Sequence, residues 1–441
     1  MSYRSSFTVK SGVKWYSELL PTEKLLLIII VLLFIGSLIK SAYYTLHYGG
    51  TDLRVRVVGA RLLNTSHSPY FYKWSPGDPE TLLNPNDKQV YINGVSVAPG
   101  SLYVQSILAG FNYQSIRIAW TILQYVFALY IFFFVFTKPF KNEAYRIYCI
   151  AVGTVFFLCS GIWFMNIERG QIYTFYAFLF CVIYQLLENR NRWMQGAGGF
   201  ILAVAVYCRP TFAVLLLPLA IHFRKNFALG FLFGAIALGT HAFLDLQLWK
   251  DYFSAIAIYT GLAKAPIINT QIPIVYPQTI EGCKNLLLYR ESYSAGGIYP
   301  IYHYLQMLYP ISNWFYILLY IVVTGLLIFL FRKSLRLFSN EEVLLFGFLL
   351  YIITEYLIPA NRAGYNVVQW IFPVLLMLRR MKFNEPDFLI LITGLALMIS
   401  FPYYLPFLHD VGELGLVYCL VRRLRDGNEM KPFGLRENQA A

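Results

Sequence analysis

The sequence predicts an all-α polytopic membrane protein, and three observations carry that prediction. The 441 residues are 58% hydrophobic and only 13% charged, with mean hydropathy +0.53; an ordinary soluble domain carries about 25% charged residues. Apolar windows of about 20 residues, the length that crosses a bilayer as a helix, recur along the chain. Basic residues gather in the links between those windows. Disorder, a collagen-like fibre and a small disulfide scaffold are excluded for want of charge, glycine period and cysteine density. The net charge of +13 raises nucleic acid as a partner, but that requires basic residues on one surface. Dispersed among the links they are a topology signal, so the bilayer is the expected partner and nucleic acid is not.

Taken in order, the spans are Leu25–Ile39, Ile118–Thr137, Ile147–Ile167, Gln171–Leu187, Asn226–Leu244 and Asn313–Phe331. Further candidates are Val343–Leu357, Ala363–Leu378 and Phe388–Tyr403. Between Trp193 and Phe223 only Arg209-Pro210 interrupts the apolar run, which predicts two helices meeting there, because proline ends or kinks a helix. A last helix ends before Val421 and leaves 422–441 as a tail. The expected total is about 12 spans in a single domain, 1–441. Lys10, Lys14 and Lys24 precede the first run, but no small-residue cleavage site follows it, so it reads as a retained helix rather than a signal peptide.

Clusters at Lys138/Lys141/Arg146, Arg190/Arg192, Arg224/Lys225, Arg332/Lys333/Arg336, Arg379/Arg380/Lys382 and Arg422/Arg423/Arg425 each follow an even number of spans. The positive-inside rule then places them, with both termini, in the cytoplasm. The opposite face receives two long segments, 44–112 and 249–310, and short links near 166–170, 359–364 and 405–410. Loops that long on one face are usually functional. Five cysteines fall in spans and Cys283 stands alone outside, so neither a disulfide framework nor a metal-ligand spacing is present.

Just beyond the first span, Gly49 to Leu63 reads as a helix with Leu53, Val57 and Ala60 on one side and Val55, Val58 and Leu62 on the other. Arg54 and Arg61 form a stripe between them. Such a helix suits the membrane–water boundary. Asp52 begins it, where the helix dipole favours a carboxylate; it reads equally as an N-cap or as a functional acid. Asp78 and Glu80 suggest a metal pair on paper, but acids between prolines are more often solvated turn residues. Arg209 within an apolar run faces a cavity, a partner or a ligand; a phosphate fits its fork, and a salt bridge inside the bundle is the plainer reading. His241 and Asp245 share a helical face and read as a hydrogen-bonded structural pair. Glu355, with Arg362 after it, marks a polar patch at another outer helix end. His303, amid tyrosines, reads as an interface residue or a substrate contact.

These residues, in this order, form a recognisable set: Asp52-Leu53-Arg54-Val55 and Ala60-Arg61-Leu62-Leu63 after the first span, then Ser68-Pro69-Tyr70, Gly170-Gln171 at a helix start, and Arg209-Pro210 with Arg224-Lys225 behind it. The set resembles the integral-membrane glycosyltransferases of family 87 in the GT-C superfamily, which includes polyprenyl-phosphate-mannose-dependent mannosyltransferases and related arabinofuranosyltransferases. The resemblance covers roughly the first half of the chain by motif and the remainder by topology. It implies a GT-C fold, an active site on the outer face, a lipid-linked sugar donor, and an inverting transfer with no metal or other cofactor. The family's acid beyond the first helix maps onto Asp52, its glycine-glutamine pair onto Gly170 and Gln171, and a basic residue that is often lysine onto Arg209. Phe71-Tyr72-Lys73 departs from the family, whose members often carry an aspartate after the Tyr70 equivalent.

Such chemistry needs a base for the acceptor hydroxyl, for which Asp52 is the candidate, and fixed cations for the leaving phosphate. Those candidates are Arg209 and Arg362 first, then Arg54 and Arg61. Gln171, His303, Glu355, Tyr70 and Trp74 are candidate substrate contacts, the aromatic ones by stacking on sugar rings. The expected setting is a bacterial inner membrane, the active site facing the periplasm, with a polyprenyl-phosphate sugar as donor, mannose foremost, and a glycolipid or cell-envelope glycan as acceptor. A transporter or flippase of a lipid-linked saccharide is the alternative, although no internal repeat of the kind transporters show is evident.

Overall fold

The structure, a computed structural model, describes residues 19–75, 77–83, 95–138, 140, 145–221, 224–264, 297–298, 312–335, 337–357, 362–381, 385–400 and 406–426. Among these the architecture is helical apart from one two-residue antiparallel ladder. In that ladder β1 (Gly297–Ile298) pairs with β2 (Arg362–Ala363).

Helix α1 (Pro21–His47) starts with Pro21 in its first turn and Glu23 folded back onto the Leu20 N–H at 2.9 Å. Leu25, Ile28, Ile29 and Leu32 face outward, whereas Ser37, Ser41 and Thr45, four residues apart, face inward. They meet α4 (Tyr113–Phe136): the Tyr125 hydroxyl lies 2.8 Å from both serine hydroxyls, and Thr45 lies 2.8 Å from Thr121. Hydrogen bonds between small polar residues hold helices together where lipid supplies no hydrophobic drive. Between α1 and α4 the chain makes α2 (Thr51–Leu62), a short 3-10 turn at Glu80–Leu82, and α3 (Pro99–Ser106). The segment between α1 and α4 is therefore partly helical.

The run expected as one span at 147–167 is two helices, α5 (Arg146–Leu158) and α6 (Gly161–Arg169), bent by 46°. Ser160 causes the break by capping α6, its hydroxyl accepting the Trp163 N–H at 3.3 Å. Next come α7 (Tyr173–Leu187) and α8 (Arg192–Cys208). The expected break at Arg209-Pro210 is present: Arg209 is extended, and a 3-10 segment (Pro210–Leu215) leads into α9 (Leu216–Ile221). Helix α10 (Lys225–Leu244) lies against α8 at backbone contact. A side chain on Gly230 would run into the Gly196 carbonyl, and one on Gly199 into that of Phe227.

Helix α11 (Leu246–Lys264) follows after a turn at Asp245, so the segment expected as an outer loop from 249 begins as helix. Then come α12 (Asn313–Leu335), α13 (Asn340–Leu357), a 3-10 segment (Gly364–Trp370), α14 (Ile371–Arg380), α15 (Pro386–Ser400) and α16 (Pro406–Asp426). The last helix thus takes residues 422–426 from the expected tail. There Arg422 pairs with Asp387 at 2.9 Å and Arg423 with Glu385 at 2.6 Å, which holds the basic turn against α15.

Four described helices (α1, α4, α10 and α12) are long and apolar enough to cross a membrane, or five spans if the bent pair counts as one. Others are shorter: α7 and α15 have 15 residues each, about 22 Å against a hydrocarbon core of about 30 Å. The described residues therefore present four or five span-length helices with shorter apolar ones between, which does not confirm the expected count of about 12. Leu229, Leu232, Phe233 and Ile236 of α10 and Leu318, Ile321, Val322 and Phe329 of α12 are exposed. Outward apolar faces of this extent belong against lipid, and the chain is a membrane protein.

The interior is aromatic. Phe180, Phe212, Phe348, Tyr351 and Trp370 are fully buried. They stack edge to face: Phe180–Phe212 at 4.8 Å, Phe212–Tyr351 at 5.0 Å and Tyr351–Trp370 at 5.3 Å between centroids. Each such pair contributes about 0.5–1.5 kcal/mol beyond its buried area. At the end of the bundle carrying the basic clusters, Glu341 of α13 receives Arg379 at 2.5 Å and Arg380 at 2.7 Å, while Lys138 meets Glu188 at 3.0 Å. The other ends of the same helices build the site.

Candidate active site at the helix ends

Two tight turns bring Asp52 and Gln171 together. After α1 the chain passes through Gly50 at φ +61°, the N-cap of α2. Asp52 is therefore two residues into the helix and free of capping duty, which removes the N-cap reading. A side chain at Gly50 would be strained and would press on Arg117 and Tyr113. On the facing side α6 ends at Gly170, φ +69°, where a Cβ would meet Leu53 at 2.7 Å. Arg117 closes that helix end by donating to the carbonyls of Ile167 at 2.6 Å and Glu168 at 2.8 Å.

Gln171 is buried and immobilised through its backbone, its N–H on the Asn166 carbonyl at 2.8 Å and its own carbonyl accepting from the Trp120 indole at 3.0 Å. Its side chain bridges two charges. Nε2 donates to Oδ2 of Asp52, and Oε1 accepts from Arg56 Nη1 at 3.2 Å. Arg56 also donates to the Gly170 carbonyl. Burial pulls the Arg56 guanidinium below its ordinary pKa, and the Asp52 charge opposes that. Asp52 Oδ2 has two further partners: Tyr365, whose hydroxyl donates at 3.3 Å, and Arg169, whose Nη1 lies 3.6 Å away. The Asp52 side chain keeps 29% exposure, so it is held yet open.

A second charged pair lies beside this group. Arg209 donates to Oε1 of Glu355 at 2.7 Å, their side chains 19% and 9% exposed. The guanidinium sits among the rings of Tyr173, Tyr176, Phe212 and Tyr351, 5.4–5.8 Å from their centroids, a cation–π setting strengthened by desolvation. Tyr173 joins the two halves, since its ring lies 5.9 Å from that of Tyr365. Asp52, Gln171, Arg209 and Glu355 thus belong to one continuous polar and aromatic patch, and Arg209 has both the salt bridge of the plainer reading and an accessible face.

Other expected site residues fall elsewhere. Arg54 is buried against Gly49, on the Tyr113 side of α2. Arg61 spends its guanidinium on the carbonyls of Ala109, Thr81 and Phe111 at 2.7–2.9 Å, fastening α2 to its own loop. Tyr70 is fully buried, donating to the Val97 carbonyl at 3.0 Å with its ring 5.7 Å from Tyr252; it supports the loop and has no open face for a sugar. Burial raises its hydroxyl pKa. Trp74 is half-buried, its indole donating to the Pro79 carbonyl at 3.2 Å. Arg362 contributes backbone to the ladder two residues before Gly364, and its side chain lies outside the described residues, as does His303.

Asp78 accepts the Ser75 N–H at 2.9 Å and the Tyr72 hydroxyl at 2.8 Å, which lower its pKa, the backbone N–H first. It is a turn residue. His241 and Asp245 each take a tyrosine: Tyr207 lies 2.9 Å from His241 Nδ1, and Tyr103 donates to Asp245. Arg56, Arg169, Tyr173 and Tyr365 were not anticipated. Arg56 carried a legible signal, lying four residues after Asp52 on the same helical face. Arg169 directly precedes Gly170-Gln171. Tyr365 carried none, being 313 positions from Asp52.

A helical, lipid-facing bundle with a charged, half-open patch at one set of helix ends defines the class, a polytopic membrane protein. Within that class the chain belongs to glycosyltransferase family 87, whose family model matches residues 98–358, more than half of the sequence. It is accordingly a GT-C superfamily glycosyltransferase, and this membership supplants the transporter alternative. No curated protein and no solved structure matches the chain. The matched stretch includes Arg169, Gln171, Arg209 and Glu355, whereas Asp52 and Tyr365 come from either side of it.

Proposed function

We propose that this glycosyltransferase moves a sugar, mannose foremost, from a polyprenyl-phosphate donor to a lipid-linked or cell-envelope glycan acceptor, with inversion and without a metal. The reaction takes place on the periplasmic face of a bacterial inner membrane, with Asp52 as general base. The observation that carries this reading is the Asp52 carboxylate, 29% exposed and held by Gln171 and Arg169. The acceptor hydroxyl loses its proton to Asp52 as its oxygen bonds to the anomeric carbon. The bond from that carbon to the phosphate oxygen breaks, and the electron pair leaves with the polyprenyl phosphate. Developing charge on the phosphate is met by preorganised guanidinium groups. Arg209 is the first of these, since its neighbour Glu355 and its ring cage already fix its orientation.

The test is transfer in proteoliposomes supplied with a panel of polyprenyl-phosphate sugars and native membrane lipid extract. Wild type should form a new glycosidic bond with one donor, and Asp52→Asn should lower turnover by about 10²–10⁴-fold while eluting as folded protein. Wild-type turnover by Asp52→Asn removes the base assignment. Use of a nucleotide sugar in place of the lipid donor removes the donor assignment.

A further inference from the structure

Every hydrogen bond and ion pair that Asp52 makes with the described residues ends on the same oxygen, Oδ2: the Gln171 amide, the Tyr365 hydroxyl at 3.3 Å and the Arg169 guanidinium at 3.6 Å. A carboxylate turns about its last torsion in a broad, roughly two-fold well. Three donors gathered on one oxygen stop that rotation and distinguish two otherwise equivalent atoms.

Arg169 reaches Asp52 from the last turn of α6 and Gln171 from the turn that follows it. Tyr365 comes from the 3-10 segment before α14 and is the only one of the three outside the family-matched stretch. Its 3-10 segment is anchored at both ends. Before it, β2 pairs with β1; at its C-terminal end, Gln369 accepts the Tyr351 hydroxyl at 3.1 Å, and the Trp370 indole donates to Glu413 of α16 at 2.9 Å. The Tyr365 ring is also fixed in place, with the Arg169 guanidinium 5.6 Å above it and the Tyr173 ring 5.9 Å away. Such a hydroxyl is a preorganised support for a reacting group.

We infer that Tyr365 is a positioning residue for the base: its hydroxyl, with Gln171 and Arg169, secures Oδ2 of Asp52 and leaves Oδ1 as the atom that takes the acceptor's proton. This rests on the reading of Asp52 as the base. The proton passes from the acceptor oxygen to Oδ1, the freed lone pair closes the new bond to the sugar, and the phosphate carries off the old bonding pair. Tyr365 keeps its own proton throughout. The protonated Asp52 then returns its proton to water.

The test compares Tyr365→Phe, Asp52→Asn and wild type in proteoliposomes with the donor that supports wild-type transfer. Phenylalanine keeps the ring under Arg169 and removes only the hydroxyl. Tyr365→Phe should lower kcat about 10- to 100-fold, with KM for donor and acceptor within about twofold, because misorientation is felt in the reacting geometry and not in ground-state binding. In the Gln171→Leu background the Tyr365→Phe loss should shrink, since both hold one oxygen. If Tyr365→Phe keeps wild-type kcat while Asp52→Asn is inactive, the positioning role falls and the base assignment stands. A raised KM at unchanged kcat makes Tyr365 a substrate contact and equally overturns the proposal. If Asp52→Asn itself turns over normally, the base assignment fails first.

Discussion

Arg209 shows how a single side chain serves both the bundle and the chemistry. With its partner Glu355 only 9% exposed, truncating the arginine removes the cation that balances a buried carboxylate, at about 3–5 kcal/mol for a buried pair. Arg209→Ala should therefore lower the melting temperature markedly and abolish transfer together. Arg209→Lys keeps the charge but not the fork; it should fold, with weakened donor binding seen as a raised KM. Normal donor KM in a folded Arg209→Lys protein would remove Arg209 from the phosphate site. Asp78 offers a simpler case. Its folded pKa is depressed, so its support of the Ser75–Asp78 turn is present above the ordinary aspartate range and lost as pH falls through its folded value. Acid protease should cut the Ser75–Asp78 turn in Asp78→Ala at a pH where the wild-type turn still resists.

The helices that carry the site owe their positions to small residues and sparse polar contacts. Tyr125 alone joins Ser37, Ser41 and the Trp163 indole, at 2.8, 2.8 and 3.1 Å, and so fixes α1 against α4 and α6. Tyr125→Phe should cost about 1–2 kcal/mol, the range of hydrogen bonds between membrane helices. It should reduce transfer by moving Asp52, which follows α1 directly. Between α8 and α10, Gly230→Leu forces backbones apart that now touch; overpacking costs about 1–3 kcal/mol. Since α8 ends at Arg209, the loss should appear in both melting temperature and turnover. An unchanged melting temperature in Gly230→Leu would show that the two helices do not meet as described.

Across the whole molecule the two sets of helix ends differ in chemistry. One carries basic residues tied to Glu341, Glu385 and Asp387; the other carries Asp52, Gln171, Arg209 and Tyr365. Cysteines placed at Ser66, on the site side, and at Arg190, at the basic end, are both exposed. An impermeant thiol reagent on spheroplasts should label the first and reach the second only after lysis; the reverse pattern would invert the proposed orientation. Composition and charge placement determined the class, the helices and the two-sidedness, because hydropathy and positive charge act residue by residue along the chain. Asp52 was readable from local sequence because helix starts are short-range, and Gly170 and Gln171 from the family resemblance. Their joining was not, and neither was the Arg209–Glu355 pair, 146 positions apart. Nor did hydropathy reveal that Ser160 bends one span, or that several apolar runs are too short to cross alone, since capping and break geometry depend on hydrogen bonds that it does not encode. Tyr365 reaches Asp52 only through tertiary packing, where the ladder at Arg362–Ala363 and the Trp370 anchor on α16 bring together residues that no sequence spacing relates.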